Sequence, residues 1–100
     1  MTEIRWTVPA AHPAFAGHFP GRPILPGVVL VDQAMRLAAS VITPGLVIRG
    51  LGNAKFFQPV TPGTSLLFRY PPATATALRF EIQADERIIA SGSFSLGAGS

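Results

Sequence analysis

The distribution of proline and glycine constrains this chain more than any other feature. Between Ala10 and Gly27 stand Pro13, Pro20, Pro23 and Pro26, together with Gly17, Gly21 and Gly27. Proline removes a backbone donor and clashes with the preceding turn, so no regular helix forms across that stretch. Directly after it, Val28–Ser40 contains neither residue type. The spacing predicts a helix there, stopped by Pro44-Gly45. Only Asp32, Gln33, Arg36 and Ser40 are polar in the segment. A helix apolar around most of its circumference is expected to be buried on most sides. The preceding loop, 18 residues from Ala10 to Gly27, is long for a connection without structure of its own, and such loops usually carry function.

The rest of the chain reads as strands. Glu3–Val8 is a short strand ending at Pro9. Leu46–Arg49 leads through Gly50 and Gly52 into Asn53–Phe57, and Pro59, Pro62 and Gly63 mark a turn. Ser65–Tyr70 is strand-like and Pro71-Pro72 breaks it. Ala77–Gln83 and Arg87–Leu96 alternate in polarity about a turn at Asp85-Glu86. Phe56 and Phe57 are consecutive, so they point to opposite faces of a strand; one is expected against the helix and the other against a sheet face or tunnel wall, with core packing the expected role of both. One apolar helix followed by antiparallel strands is an α+β pattern, and a twisted sheet wrapped around a central helix would bury that helix. No repeat or linker divides the chain. Its 100 residues are expected to form one domain, with Gly97–Ser100 as a frayed tail.

Composition narrows the function classes. Hydrophobic residues make up 48% of the chain and charged residues 13%, little charge for a domain with so much surface. Some apolar surface is therefore expected to lie against another subunit, most simply in a two-fold homodimer. Cysteine is absent, which excludes disulfides, thiolate metal sites and a cysteine nucleophile. With two histidines and five acidic residues, no dedicated metal site is expected. The net charge is +3 and seven of the eight basic residues are arginine. No Lys/Arg cluster of the kind that binds nucleic acid is present. Met1–Ala10 carries Glu3 and lacks the apolar stretch of a secretory signal. Ile24–Val31 is too short, and too broken by Pro26 and Gly27, to span a bilayer. The expectation is a soluble, cytoplasmic protein without membrane insertion.

Three features could supply chemistry. His18 sits in Gly17-His18-Phe19-Pro20-Gly21. An isolated histidine in such a loop is most often an exposed surface residue. Here glycine and proline fix the backbone path, and Phe19 is an apolar anchor beside the imidazole. An ordered, partly dry histidine works as a base near neutral pH. Asp32 either faces solvent near the positive end of the helix or, among Val28, Val29, Leu30 and Val31, is buried. A buried carboxyl can keep its proton and act as an acid. Between them, Pro26-Gly27-Val28 opens the helix, where backbone N–H groups are unpaired. Gly27 either is simply the turn residue or lets a ligand oxygen approach, and such a donor pair suits an oxyanion. A base, an acid and an oxyanion site are what removal of a proton next to a carbonyl and loss of a β-hydroxyl require.

The run His18-Phe19-Pro20-Gly21-Arg22-Pro23-Ile24-Leu25-Pro26-Gly27-Val28 closely resembles the signature of bacterial 3-hydroxyacyl-[acyl-carrier-protein] dehydratases. Asp32 falls five residues after Gly27, where that family carries its catalytic Glu or Asp. Gly52-Asn53-Ala54-Lys55-Phe56, then Pro59-Val60 and Pro62-Gly63, looks like the family's third-strand segment and turn. The resemblance implies a hot-dog fold, a long central helix wrapped by an antiparallel β-sheet. It implies a homodimer, or a higher assembly of dimers, with His18 of one protomer facing Asp32 of the other. The substrate would be a 3-hydroxyacyl thioester of an acyl carrier protein or coenzyme A, and the product a trans-2-enoyl thioester. His18 and Asp32 would be catalytic. Gly27 and Val28, with Phe19 and Pro26, would hold the thioester. No metal or redox cofactor is implied.

The chain departs from the family pattern in several places. Gln33 displaces the family's Ala-Met pair to Ala34-Met35, Arg36 stands near where a polar Gln is common, and the N-terminal strand is abbreviated. These differences point to a specialised relative of the aryl polyene or polyketide-pathway type. Arg22, Arg36, Arg49 and Lys55 either form a basic rim for an acidic carrier or are scattered solvated charges. His12 is expected at the surface. Two other functions compete: a hot-dog acyl thioesterase, in which a carboxylate activates water, and a non-catalytic acyl-binding partner subunit. The intact His-Phe-Pro run leading into Pro-Gly and a helix argues against both.

Overall fold

A computed structural model describes residues 1–11 and 24–99. The element order is β1 (Thr2–Thr7), α1 (Gly27–Ala38), β2 (Leu46–Phe56), β3 (Ser65–Tyr70), β4 (Ala77–Ala84) and β5 (Arg87–Ala98). The strands form one sheet in the order β1-β3-β4-β5-β2, with every neighbouring pair antiparallel. The expected α+β class and the punctuation by Pro44-Gly45, Pro59, Pro62 and Pro71-Pro72 hold. The tight turn at Asp85-Glu86 places Asp85 at φ 55°. That is the left-handed region, which aspartate tolerates better than most residues.

Period-two alternation gives the sheet one apolar face. Leu66, Phe68 and Tyr70 of β3, with Leu78, Phe80 and Ile82 of β4, are buried. Ala90, Phe94 and Leu96 of β5 join them. Register stacks these residues across strands, Phe68 opposite Ile82 and Ile82 opposite Ala90. Phe80 and Phe94 stack with ring centroids 4.9 Å apart. The other face is polar. There Arg69 donates to Glu3 at 2.9 Å and to Glu81 at 3.4 Å, and Gln83 donates to Glu81 at 2.6 Å. One dry and one wet face is the usual arrangement of an antiparallel sheet.

Helix α1 lies on the dry face through Leu30, Ala34 and Ala38, an i, i+4, i+8 stripe. The Tyr70 hydroxyl, fully buried, donates to the Ala34 carbonyl at 2.7 Å and ties the helix to β3. Burial pushes the phenol's pKa up from its ordinary value. Among the described residues the helix is covered on this side, and Val28, Met35, Arg36 and Ala39 are exposed on the others.

Three expectations are corrected. The glycine-containing stretch from Leu46 to Phe56 is one continuous strand, and its register shifts fall at Ile48/Gly50 and Leu51/Asn53, so the glycines mark bulges rather than breaks. The C-terminal end is ordered rather than frayed as far as Gly99. Gly97 and Ala98 pair with Val47 and Leu46, and the Gly99 N–H donates to the Gly45 carbonyl at 2.7 Å. Phe56 and Phe57 are 49% and 57% exposed rather than core, because β2 is the edge strand and no described element lies along its far side.

Candidate active site

Short bonds fix the entry to the helix. The Leu25 N–H donates to the Val60 carbonyl at 2.8 Å, and both side chains are buried. Pro26 then serves as the helix N-cap with φ −59° and ψ 143°. It offers no side-chain oxygen, and the first turn holds no acidic residue. Among the described residues no side chain caps the N–H groups at Gly27 and Val28, which stand at the positive end of the helix.

Gly27 makes room at its position for a different contact than expected. A Cβ there would stand 2.8 Å from the Phe56 ring. The glycine therefore admits the ring of Phe56 over the first turn, and a ligand oxygen approaching Gly27 meets that ring as its wall. Beside it lies an open hollow of about 550 Å³, lined by Leu25, Gly27, Val28, Leu30, Phe56 and Phe57, with Gln58 and Pro59 at its edge. Its lining is mostly apolar, with the helix N-terminus and Gln58 as the polar elements.

Asp32 lies on the outward face of α1, one turn beyond Val28. In the single chain its side chain is 43% exposed, and its Oδ2 accepts from the Arg36 Nε at 2.7 Å. Of the two alternatives for Asp32, the described residues show the solvent-facing one and provide no aliphatic enclosure. Val29 and Val31 are half-buried and Leu30 turns into the core. The hydrogen bond to Asp32, then its charge, raises the pKa of Arg36. Asp32, Arg36, Gln33, Val28 and Val29 line a second depression of about 550 Å³. Val28 borders both hollows and is 72% exposed, so the helix N-terminus and Asp32 lie on either side of one valine.

The structure therefore places Gly27 and Val28 at one hollow and Val28 and Asp32 at the next, with Pro26 at the helix N-cap. His18 and Phe19, along with His12 and Arg22, lie outside the described residues. Of the other basic-rim candidates, Arg36 is committed to Asp32, and Arg49 donates to the Ala98 carbonyl at the end of the β5 ladder. The Asp32–Arg36 pair was legible and missed: an acid four residues before an arginine on a helix is a standard pairing register. Packing of one of the two phenylalanines on the helix is expected from the sequence; that it is Phe56, and that it covers Gly27, depends on the strand order. No helix among the described residues is long and apolar enough to cross a membrane.

The chain is similar to several known proteins. A segment of 64 residues is 38% identical to the 3-hydroxyacyl-[acyl-carrier-protein] dehydratase FabZ of a Wolbachia strain from Drosophila simulans. It covers 57% of this chain and 45% of that protein, so the chain spans about half the length of this curated relative. The dehydratase heterocomplex ApeI:P from Xenorhabdus doucetiae superposes with a TM-score of 0.82 at 29% identity. That match covers 95% of this chain and 85% of the other, and with it the hot-dog fold is established. An uncharacterized protein from Erwinia carotovora superposes with a TM-score of 0.79 at 33% identity, over 96% of this chain and 82% of that one. The family model of the ApeI dehydratase matches residues 1–93, and the chain accordingly belongs to the ApeI-like dehydratase family.

Proposed function

We propose that this protein removes water from 3-hydroxyacyl thioesters carried on an acyl carrier protein, giving trans-2-enoyl thioesters in an aryl polyene or fatty-acid type of biosynthesis. The observation that carries the reading is the exposed edge of α1. The helix N-terminus at Gly27–Val28 lines an apolar hollow, and Asp32 lines a second depression that Val28 also borders. Val28 thus joins backbone donors suited to a thioester carbonyl to a carboxyl suited to the β-hydroxyl two carbons away. The family and the FabZ relative support the same chemistry.

In this reading the thioester carbonyl accepts from the N–H groups at Gly27 and Val28, which take up the enolate-like charge. Neutral His18 removes the α-proton. The Cα–H electron pair forms the new double bond, and the β C–O bond breaks with a proton supplied by Asp32, directly or through a water. Water leaves, and the proton taken by His18 returns to Asp32 through solvent. No cofactor is needed, since no net oxidation occurs. Phe56, Phe19 and Pro26 wall the thioester.

The whole chain works as one domain, since β1 and β5 belong to one sheet, and a cytoplasmic setting belongs to the same proposal. Two copies assemble so that His18 of one faces Asp32 of the other. An unpaired edge along β2 and outward apolar residues support this pairing: Val28 and Met35 on the helix, with Val47, Leu51, Phe56 and Phe57 on or beside the edge strand. The test is turnover of a short 3-hydroxyacyl-carrier-protein thioester by the purified protein, followed by mass spectrometry, with His18→Ala as the control. Loss of one water, absent in the control, is expected. Release of free acid would replace the dehydratase with a thioesterase, and an unchanged substrate that nonetheless binds would make this a non-catalytic subunit.

A further inference from the structure

We propose that Arg36 is a positioning residue for Asp32: by holding Oδ2 it assigns Oδ1 as the oxygen that meets the substrate. The inference rests on the dehydratase reading of Asp32 and deepens it. The argument begins with the torsion of an aspartate. Rotation about its terminal bond is broad and two-fold, so a half-exposed, unheld carboxyl presents either oxygen and many angles. The Nε–Oδ2 bond of 2.7 Å removes that freedom. A guanidinium suits the task because it is planar, keeps its charge at every working pH and donates along fixed directions.

Stability gives no alternative account of the pair. Arg36 is 70% exposed and Asp32 43%, and exposed ion pairs contribute little to folding. Place matters more. The pair stands on the face of α1 that the sheet leaves uncovered, in the depression that Val28 joins to the helix N-terminus. Val28 and Val29 form an apolar flank there, where one oriented oxygen replaces a freely hydrated carboxylate. Proton transfer depends steeply on geometry, and a misplacement of about 1 Å can lower a rate about 100-fold.

The test uses the full-length protein and the carrier-protein substrate named above. Arg36→Met keeps length and removes the donor, and Arg36→Lys keeps the charge. The expected result is a kcat lowered about 10- to 100-fold in Arg36→Met, with KM unchanged and partial recovery in Arg36→Lys. In the background of Asp32→Asn, Arg36→Met should lower kcat no further, because residues that act through one another are not additive. A thermal midpoint equal to the parent's excludes loss of folding as the cause. A parental kcat in Arg36→Met, alongside a severe loss in Asp32→Asn, would overturn the positioning role and leave the dehydratase reading standing. So would a raised KM with unchanged kcat, which would make Arg36 a carrier-docking residue. A parental kcat in Asp32→Asn would instead overturn the role of Asp32 itself.

Discussion

Replacing Tyr70 with phenylalanine removes one oxygen from the contact that fastens the helix to the sheet. The ring stays, so no cavity forms. The lost bond is the 2.7 Å donation to the Ala34 carbonyl, and that carbonyl keeps the acceptor role of the helix ladder. With no orphaned group left behind, the loss is the net worth of one hydrogen bond, about 1 kcal/mol. For a domain of this size the thermal midpoint should fall by about 4–8 °C, read by circular dichroism at fixed protein concentration. Alkali supplies a second readout. Desolvation raises the phenol's pKa above its ordinary 10.0, so the buried group stays neutral where the unfolded chain ionises. Its contribution is complete below about pH 10 and is lost as pH rises toward the raised native value, at up to about 1.4 kcal/mol per pH unit. The difference between parent and Tyr70→Phe should therefore close by about pH 11. The chain has one tyrosine, so tyrosinate absorbance follows this group alone. Equal midpoints at pH 7, or a native phenol titrating at its ordinary value, would refute the assignment of Tyr70 as a dry helix anchor.

Other substitutions test different parts of the structure. Gly92→Ala would place a Cβ 2.4 Å from the Asn53 carbonyl oxygen and 2.6 Å from the Phe80 ring; overpacking of this kind costs about 1–3 kcal/mol, and a midpoint within 2 °C of the parent's, on the scale of about 4–8 °C per kcal/mol, would contradict the packing of β4 on β5. Asp32→Asn should abolish most dehydration in the mass-spectrometric assay while leaving the circular dichroism spectrum and midpoint near the parent's. Leu51→Glu, on the exposed edge strand, should shift the protein toward monomer in light scattering and reduce activity in step, whereas a dimer of parental mass would place the interface elsewhere. Gly27→Ala forces the Phe56 ring aside, so turnover should fall with little loss of stability, and a parental rate would show that the first turn needs no close approach.

The parts of the fold legible in the sequence are those set by local rules. Proline and glycine bracket the helix, and period two marks β3 and β4, because backbone sterics and side-chain alternation act over a few residues. What local rules do not carry is which surface another element covers. Phe56 and Phe57 read as core because their strand is apolar, yet strand order makes β2 an edge. Gly97–Ser100 reads as a tail because it is small and flexible in composition, yet the antiparallel partner of Leu46 lies there. The candidate site divides in the same way. Gly27, Val28 and Asp32 were found from one helix start, a local feature. The ring over Gly27 and the outward face of Asp32 follow from tertiary placement.

Strand order also sets a schedule for folding. The turn at Asp85-Glu86 joins β4 and β5 into a hairpin of neighbours in sequence, with little loop to close. By contrast Thr7 pairs with Ser65, so docking β1 closes a loop that contains the helix, the loop before it and all of β2. Loop closure of that length is entropically expensive and belongs late in folding. The segment bearing His18, Gly27 and Asp32 is thus enclosed in the last large loop to be drawn in. Those substitutions there that do destabilise should hasten unfolding while leaving the refolding rate almost untouched, which leaves the site open to change its chemistry without disturbing the nucleus on which the fold depends.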